Sequence, residues 1–398
     1  MAHDDAAVTT LASKLTSIIR FAGYAEPETC VLWGVKLLVE RESDAARIIL
    51  AKFLRAKDND VDGAAEMLRA RLEWQRTMDL DAIAGEDFGT AFAGHDMIIG
   101  EDLEGRPLWY SRFGTMDTEQ VFGDPQRFLR WRVQLMEKAL ARLQPWTPGK
   151  PETIVQVHDY ADCALFRRDP RQTEAIKLFT TVMGANFPET KGKTIFINFP
   201  AFFGVLFGLI KPFIPAKTQA KFVMLGPVSP ERGELMVDHG IPPHWCPQRY
   251  GGLLPEDSAA NSTERVVPAE LLVLTQGKVE KRSIIVPSSA TSAAAVDVSD
   301  GGASPSRAGG VLPTTMCVVL RVLDKDVRCQ VTCSSFKASA TQLFDGSAVP
   351  LVLRAEQGVV RLELNAAPGS TLTFTFDNAH SRFFSKTVLF GCAPATTG

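Results

Sequence analysis

The sequence predicts a multidomain chain in which an N-terminal α-helical bundle leads into an α/β domain, followed by an all-β sandwich. Three observations predict it. Apolar residues recur at helical spacing up to about residue 80. Short β-rich runs alternate with amphipathic helical stretches from there to Gly252. Closely spaced strand-like runs then fill the C-terminal third. With 398 residues, 45% of them hydrophobic and 22% charged, the chain is long enough for two or three cores.

Residues 1–80 form the helical region. Ile48, Leu50, Phe53 and Leu54, then Ala64, Met67, Leu68 and Leu72, recur at the spacing of one helix face. Residues 81–255 form the α/β domain, whose strands are read in GRPLWYSRF, TIVQVHDY, KTIFINFP and KFVMLG. Two helices between them have clear starts, Asp124-Pro125 and Asp169-Pro170, each an N-cap carboxylate followed by proline at the first helical position. Phe128, Trp131, Leu135 and Ala139 line one face of the first helix. Ile176, Phe179 and Met183 line the second, which ends at Gly184.

Residues 256–266 are a polar linker, and 267–398 the sandwich. Within the sandwich, 287–312 is a flexible Ser-, Ala- and Gly-rich insertion with too little apolar surface to order itself. CVVLRVL, CQVTC, VPLVLRA, VVRLELN and TLTFTFDN follow as strands, and LLVLTQGKVEKRSIIV supplies the first ones.

A net charge of −3 argues against a general nucleic-acid binder, which needs clustered cations for phosphate contacts. Seven scattered cysteines do not suggest a disulfide framework, and MAHDDAAVTTLASK is acidic and polar where a secretion signal is basic and then apolar. A cytosolic protein is expected. Asn261-Ser262-Thr263 is then a chance match to the glycosylation pattern.

Enzyme and metal motifs are weak. Gly192-Lys193-Thr194 imitates the end of a phosphate-binding loop, but the position that needs the first glycine holds Phe187. His158 and Asp159, adjacent on a β-run, point to opposite faces and make no hydrolase triad, so His158 reads as a satisfied histidine of core or surface. His239, His244 and Cys246 are broken up by prolines and fit no zinc spacing, while Cys329 and Cys333 read as small core residues. No catalytic residue, cofactor or metal is expected.

Between Glu189 and Lys211 lies an uncharged aromatic run, Phe199 to Ile210. Spanning a bilayer takes ~20 apolar residues, so the run is too short for that. Two readings stand: a buried core helix, or a surface that meets lipid. Carrying a two-chain lipid requires a long apolar pocket, because each methylene taken from the bilayer is worth ~0.8 kcal/mol. Such a pocket needs a door, and Pro200, Gly204, Gly208 and Pro212 supply hinge residues around the run.

A resemblance favours the second reading. FLRAKDNDVDGAAEML with Trp74, EDLEGRPLWY, FPETKGKTIFINFPAFF, KPFIPAKTQAKFVMLG and IPPHWCPQRYGG occur in the order and spacing of the CRAL-TRIO family. Over about residues 35–255 the chain resembles its phosphatidylinositol-transfer branch. That likeness implies a helical tripod before an α/β lipid pocket with a mobile gate. It places Arg55, Glu189, Thr218 and Lys221 at a lipid headgroup site, with Lys57 assisting. It also implies a gate over Phe199–Pro215, with Phe199, Phe202, Phe203, Leu206, Phe207 and Ile210 touching membrane or acyl chains. Arg and Lys suit a phosphodiester, and a carboxylate and a hydroxyl suit inositol hydroxyls. Ile154 and Gln156 stand where members that also carry phosphatidylcholine have small hydroxyl residues, which leaves a second ligand open.

The C-terminal PGSTLTFTFDNAHSRFFSKTVLF resembles a GOLD domain, a β-sandwich that binds proteins or membranes. The implied function is a non-enzymatic lipid-transfer protein, cytoplasmic and peripherally associated with endomembranes. Its partners are a phospholipid, a transient membrane surface and a protein partner of the GOLD-like domain. The alternative is a lipid-regulated adaptor that recruits proteins through that domain.

Overall fold

In the computed structural model the described residues are 2–38, 43–163, 170–199, 219–256, 267–286, 314–323, 325–333, 351–366, 369–379, 381 and 385–394. They fall into two compact units, Met1–Val228 and Ser229–Gly398.

The first unit opens with helices α1 (Ala2–Ser13) and α2 (Leu15–Phe21) and a short hairpin, β1 (Val31–Leu32) and β2 (Val35–Lys36). Helices α3 (Asp44–Ala56), α4 (Val61–Met78) and α5 (Leu80–Ala84) follow. Ser43 caps α3 by accepting from the Ala46 N–H, and Asp60 caps α4 through the Asp62 N–H. Leu11, Ile19, Ile49, Phe53, Leu68 and Leu72 are fully buried together, as the helical spacing requires.

The α/β part contains β3 (Asp96–Glu101), β4 (Pro107–Arg112), α6 (Thr118–Phe122), α7 (Pro125–Ala141), β5 (Ile154–Asp159), α8 (Pro170–Asn186), β6 (Lys191–Ile197) and β7 (Phe222–Met224). The strands form one sheet in chain order, with β3 antiparallel to β4 and the others parallel. Asp124 caps α7 as expected, accepting from the Gln126 and Arg127 N–H groups. That helix is buried on two sides rather than one. Phe128 and Trp131 join a cluster with Phe88, Phe92 and Phe122, while Leu129, Val133, Met136 and Ala139 join the helical core. Asp169 lies outside the described residues, and α8 runs two residues past Gly184 to Asn186.

Gly192-Lys193-Thr194 is strand, not loop. The β5–β6 register pairs Ile154 with Lys191 but Val155 with Lys193, so Gly192 is an extra residue in β6. A Cβ there would meet the Thr153 hydroxyl at 2.4 Å.

The second unit begins with α9 (Glu234–Val237) and single 3-10 turns at Pro243–Trp245 and Gln248–Tyr250. Its strands are β8 (Ala269–Leu274), β9 (Val279–Ile285), β10 (Thr314–Val322), β11 (Asp326–Cys333), β12 (Leu351–Arg354), β13 (Val360–Ala366), β14 (Thr371–Asp377) and β15 (Lys386–Pro394). Two antiparallel four-stranded sheets, β13-β10-β15-β8 and β12-β11-β14-β9, share one core. That is a β-sandwich. Leu372, Phe374 and Phe376 alternate inward along β14, and Cys329 is buried among them. The buried Asn378 donates to the Leu274 and Thr275 carbonyls.

The IPPHWCPQRYGG segment belongs to this second unit, so the unit boundary at 228/229 lies upstream of residue 255, where the sequence places the end of the α/β domain. Arg321 on β10 donates to the Gln248 and Gly252 carbonyls at 2.9 and 2.8 Å, and His244 Nδ1 accepts from the Ala269 N–H. Both glycines are demanded by geometry: Gly251 has φ +93°, and a Cβ on Gly252 would lie 1.9 Å from the Cys246 carbonyl oxygen. The linker residues 257–266 and the insertion 287–312 lie outside the described residues.

Candidate functional site

The end of α3 and the starts of β5, β6 and β7 meet at one edge of the first unit. Helix α3 stops at Lys57, after which Asp58 (φ +52°) and Asn59 (φ +65°) turn in the left-handed region, and the Asn59 N–H returns to the Leu54 carbonyl. Aspartate and asparagine tolerate that conformation better than most residues. Glu189, between α8 and β6, is left-handed as well (φ +51°).

Three of the four headgroup candidates come together there. Lys221 Nζ stands 2.9 Å from Glu189 Oε2, and Arg55 Nη2 stands 2.5 Å from Glu152 Oε2. Arg55, Asp58, Asn59 and Glu189 line an open pocket of about 370 Å³. Burial alone would raise the Glu189 pKa, but the hydrogen bond and charge of Lys221, with Arg55 and Lys52, outweigh it and hold the carboxyl below its ordinary value. Thr218 lies outside the described residues, and Lys57 is exposed and does not line the pocket.

Sequence reasoning missed the residue that ties the site together. Lys52 is fully buried, and its ammonium donates to the Glu152 carbonyl at 2.6 Å and the Glu189 carbonyl at 2.8 Å, with Glu152 Oε2 at 3.7 Å. Burial lowers its pKa to about 8, against the opposing pull of Glu152. Glu152 thus serves both Lys52 and Arg55, one turn apart on α3. The missed signal was a lysine among the inward positions Ile49, Leu50 and Phe53. The missed rim residues, Asp58 and Asn59, were signalled by an Asp-Asn pair just past a helix end.

Of the gate candidates only Phe199 is described; Phe202, Phe203, Leu206, Phe207 and Ile210 lie outside the described residues. The Phe199 ring packs on Tyr160 and Phe196, at 5.2 and 5.8 Å between centroids. Among the described residues no helix is long and apolar enough to cross a membrane, and no group of three His, Cys, Asp or Glu side chains could hold a metal ion.

The sheet face under α7 and α8 is the other unusual place. Arg132 from α7 pairs with Asp96 at 2.8 Å and lies over the Trp109 ring. Next to it, His158 is not the satisfied histidine the sequence suggested: it is buried with Nδ1 unpartnered, because its neighbours across the sheet face are the rings of Phe113 and Phe196. Burial, then the charges of Arg132 and Lys191, push its pKa well below the ordinary imidazole value. Gln156 and Thr194 carry unpartnered atoms beside it. Each such group costs ~1–3 kcal/mol relative to a paired one.

Residues 92–252 match the CRAL/TRIO domain. Phosphatidylinositol transfer protein SFH5 of Cryptococcus neoformans is 33% identical over 268 residues, which cover 63% of this chain and 87% of that relative. The chain belongs to the CRAL/TRIO family. Patellin-4 of Arabidopsis thaliana is 34% identical over 238 residues, 59% of this chain, and the chain spans 43% of that relative's length. Among solved structures, the crystal structure of Sfh5 superposes with a TM-score of 0.56 at 23% identity, covering 67% of this CRAL/TRIO chain and 93% of Sfh5, a likeness of fold. The pocket lined by Arg55, Asp58, Asn59 and Glu189 draws on both the helical lead-in and the CRAL/TRIO match itself, since Arg55 lies upstream of residue 92.

Proposed function

We propose that this chain carries one phosphoinositide, phosphatidylinositol, in the first unit and exchanges it at membranes without chemical turnover. The observation that carries this reading is the charge pattern of the pocket. Lys52, Arg55 and Lys221 face Glu152 and Glu189, with Asp58 at the rim. Cations and carboxylates balance, so a single phosphodiester can be bound by Arg55 and Lys221 while Glu189, with Thr218 contributing a hydroxyl, hydrogen-bonds the inositol ring. A polyphosphorylated ring would meet the carboxylates with like charge. The SFH5 relatives, named as phosphatidylinositol transfer proteins, point the same way.

In this reading the run Phe199–Ile210 is the membrane-facing gate. Its phenylalanines bury acyl chains or enter the lipid surface, and Gly204 and Gly208 absorb the hinge motion. The protein then works at the cytoplasmic face of endomembranes.

A second reading, a lipid-regulated adaptor, is favoured by one feature: the end of the CRAL/TRIO match, held by Arg321 and His244, lies in the same compact unit as the sandwich. Deleting 267–398 should abolish protein recruitment in that case while vesicle transfer persists. The ligand itself is tested by mass spectrometry of lipid co-purifying with the full chain. Phosphatidylinositol is expected at one per protein, and a stoichiometric lipid without an inositol headgroup would overturn the assignment.

A further inference from the structure

Trp33 and Gly34 are the two loop residues of the β1–β2 hairpin, and both lie in the left-handed region, at φ +49° and +77°. Such a turn suits Asn-Gly or Gly-Gly, and a bulky aromatic in its first place is strained. A stack of rings holds it there. The Trp33 indole packs on Phe53, Trp146 and Phe187, at 6.0, 6.0 and 6.3 Å between centroids, and the Trp33 carbonyl accepts from Trp146 Nε1 at 3.1 Å.

A cation sits at each end of the stack. Lys52 Nζ lies 5.4 Å from the Trp146 ring, and the fully buried Arg71 guanidinium of α4 lies 5.1 Å from Phe187, 5.0 Å from Trp74 and 5.9 Å from Trp33. Arg71 also pairs with Glu137 of α7 at 2.8 Å. Among the described residues, neither Arg71 Nε nor Trp33 Nε1 has a hydrogen-bond partner. The array thus combines a strained turn, two buried unpaired donors and a buried ion pair. None of these maximises stability, since apolar residues of similar volume often replace a buried ion pair without loss.

What the array does fix is the turn that carries Glu189. Phe187 opens that turn, the Thr190 hydroxyl closes it by donating to the Phe187 carbonyl at 2.9 Å, and the Ile154 N–H ties the Thr190 carbonyl to β5 at 2.9 Å. Between them stands Glu189, left-handed, with its own carbonyl accepting from Lys52. The stack therefore reaches Glu189 from two directions, through Phe187 and through Trp146 and Lys52.

We propose that Trp33 and Arg71 are positioning residues for Glu189, holding Phe187 and Lys52 in the one arrangement that brings its carboxylate to Lys221. At 5% and 0% exposure they act only through those two residues. The functional consequence rests on the phosphatidylinositol reading: the stack sets how sharply the pocket selects an inositol headgroup.

The test uses the full chain and two readouts. One is the titration of the Glu189 carboxyl, followed by 13C NMR of protein labelled at glutamate Cδ and assigned by the signal lost in Glu189→Gln. The other is the ratio of phosphatidylinositol to phosphatidylcholine taken up from vesicles holding equal amounts of each. Burial pushes the Glu189 pKa up, while the Lys221 hydrogen bond and the charges of Lys221, Arg55 and Lys52 hold it below its ordinary value, so a carboxyl swung away from them titrates at higher pH. Arg71→Leu/Glu137→Leu removes both charges and leaves no carboxylate buried alone. A merely structural pair predicts a folded double variant with wild-type readouts. The positioning role predicts a folded double variant in which Glu189 titrates higher and the lipid ratio falls about tenfold. Trp33→Leu should act in the same way and Trp33→Phe, which keeps a ring in the stack, should retain both readouts; this pair carries the test if the double variant does not fold. An unchanged Glu189 titration in both Arg71→Leu/Glu137→Leu and Trp33→Leu overturns the proposal. A raised titration with an unchanged lipid ratio upholds the positioning of Glu189 and contradicts the headgroup assignment instead.

Discussion

The buried ammonium of Lys52 donates to the backbone carbonyl of Glu189 at 2.8 Å and so fixes, across 137 residues of sequence, the left-handed turn that aims the Glu189 carboxylate at Lys221. It also donates to the backbone carbonyl of Glu152, the partner of Arg55, at 2.6 Å. One side chain therefore positions both halves of the pocket.

Lys52→Met should destabilise the first unit by about 2–4 kcal/mol, since it strands two part-buried carbonyls. It should also lower phosphatidylinositol transfer even where the protein remains folded. Urea unfolding and vesicle transfer, measured side by side, check both. Wild-type stability would show that the carbonyls find other donors.

The Gly252 turn has no room for a side chain. Gly252→Ala should cost about 3–5 kcal/mol through the clash with the Cys246 carbonyl, and Arg321→Ala about 1–3 kcal/mol through loss of two hydrogen bonds. Both act on the unit 229–398, so thermal unfolding of that unit should shift while transfer at low temperature persists.

The pH dependence of the first unit follows from His158. Its folded pKa is depressed, so the unfolded chain takes up the proton first. The stability contribution is complete above the ordinary imidazole pKa of ~6.5 and is lost as pH falls through it, by at most about 1.4 kcal/mol per pH unit. His95, depressed chiefly by burial, adds in the same direction. Denaturant midpoints between pH 7.5 and 5 should fall, and His158→Leu should flatten the curve.

If the proposed gate reading holds, Phe207→Asp should slow phosphatidylinositol exchange about tenfold with little change in melting temperature, because a charge opposes insertion into the lipid surface. Unfolding of the variant would instead establish Phe207 as ordinary core.

Much of the fold was legible because period carries it. The four β-rich runs of the α/β domain became β4 to β7, and the alternation of TLTFTFD became the inward Leu372, Phe374 and Phe376 of β14. The proposed headgroup residues Arg55, Glu189 and Lys221 were legible only through family resemblance, since nothing local links positions so far apart. What was not legible depended on backbone detail. Lys52 reads as an ordinary surface lysine until its inward place on α3 is fixed. Lys191 belongs by simple alternation to the opposite face, and only the extra residue at Gly192 moves it. His158 reads from sequence as a satisfied histidine because it makes no triad with Asp159, yet its Nδ1 lies unpartnered among the rings of Phe113 and Phe196.

Transfer of phosphatidylinositol between donor and acceptor vesicles, compared with phosphatidylcholine, is the most direct test of the headgroup pocket. Lys221→Ala and Glu189→Ala should each lower phosphatidylinositol transfer about tenfold or more and leave any phosphatidylcholine transfer unchanged. Wild-type phosphatidylinositol transfer by both variants would contradict it.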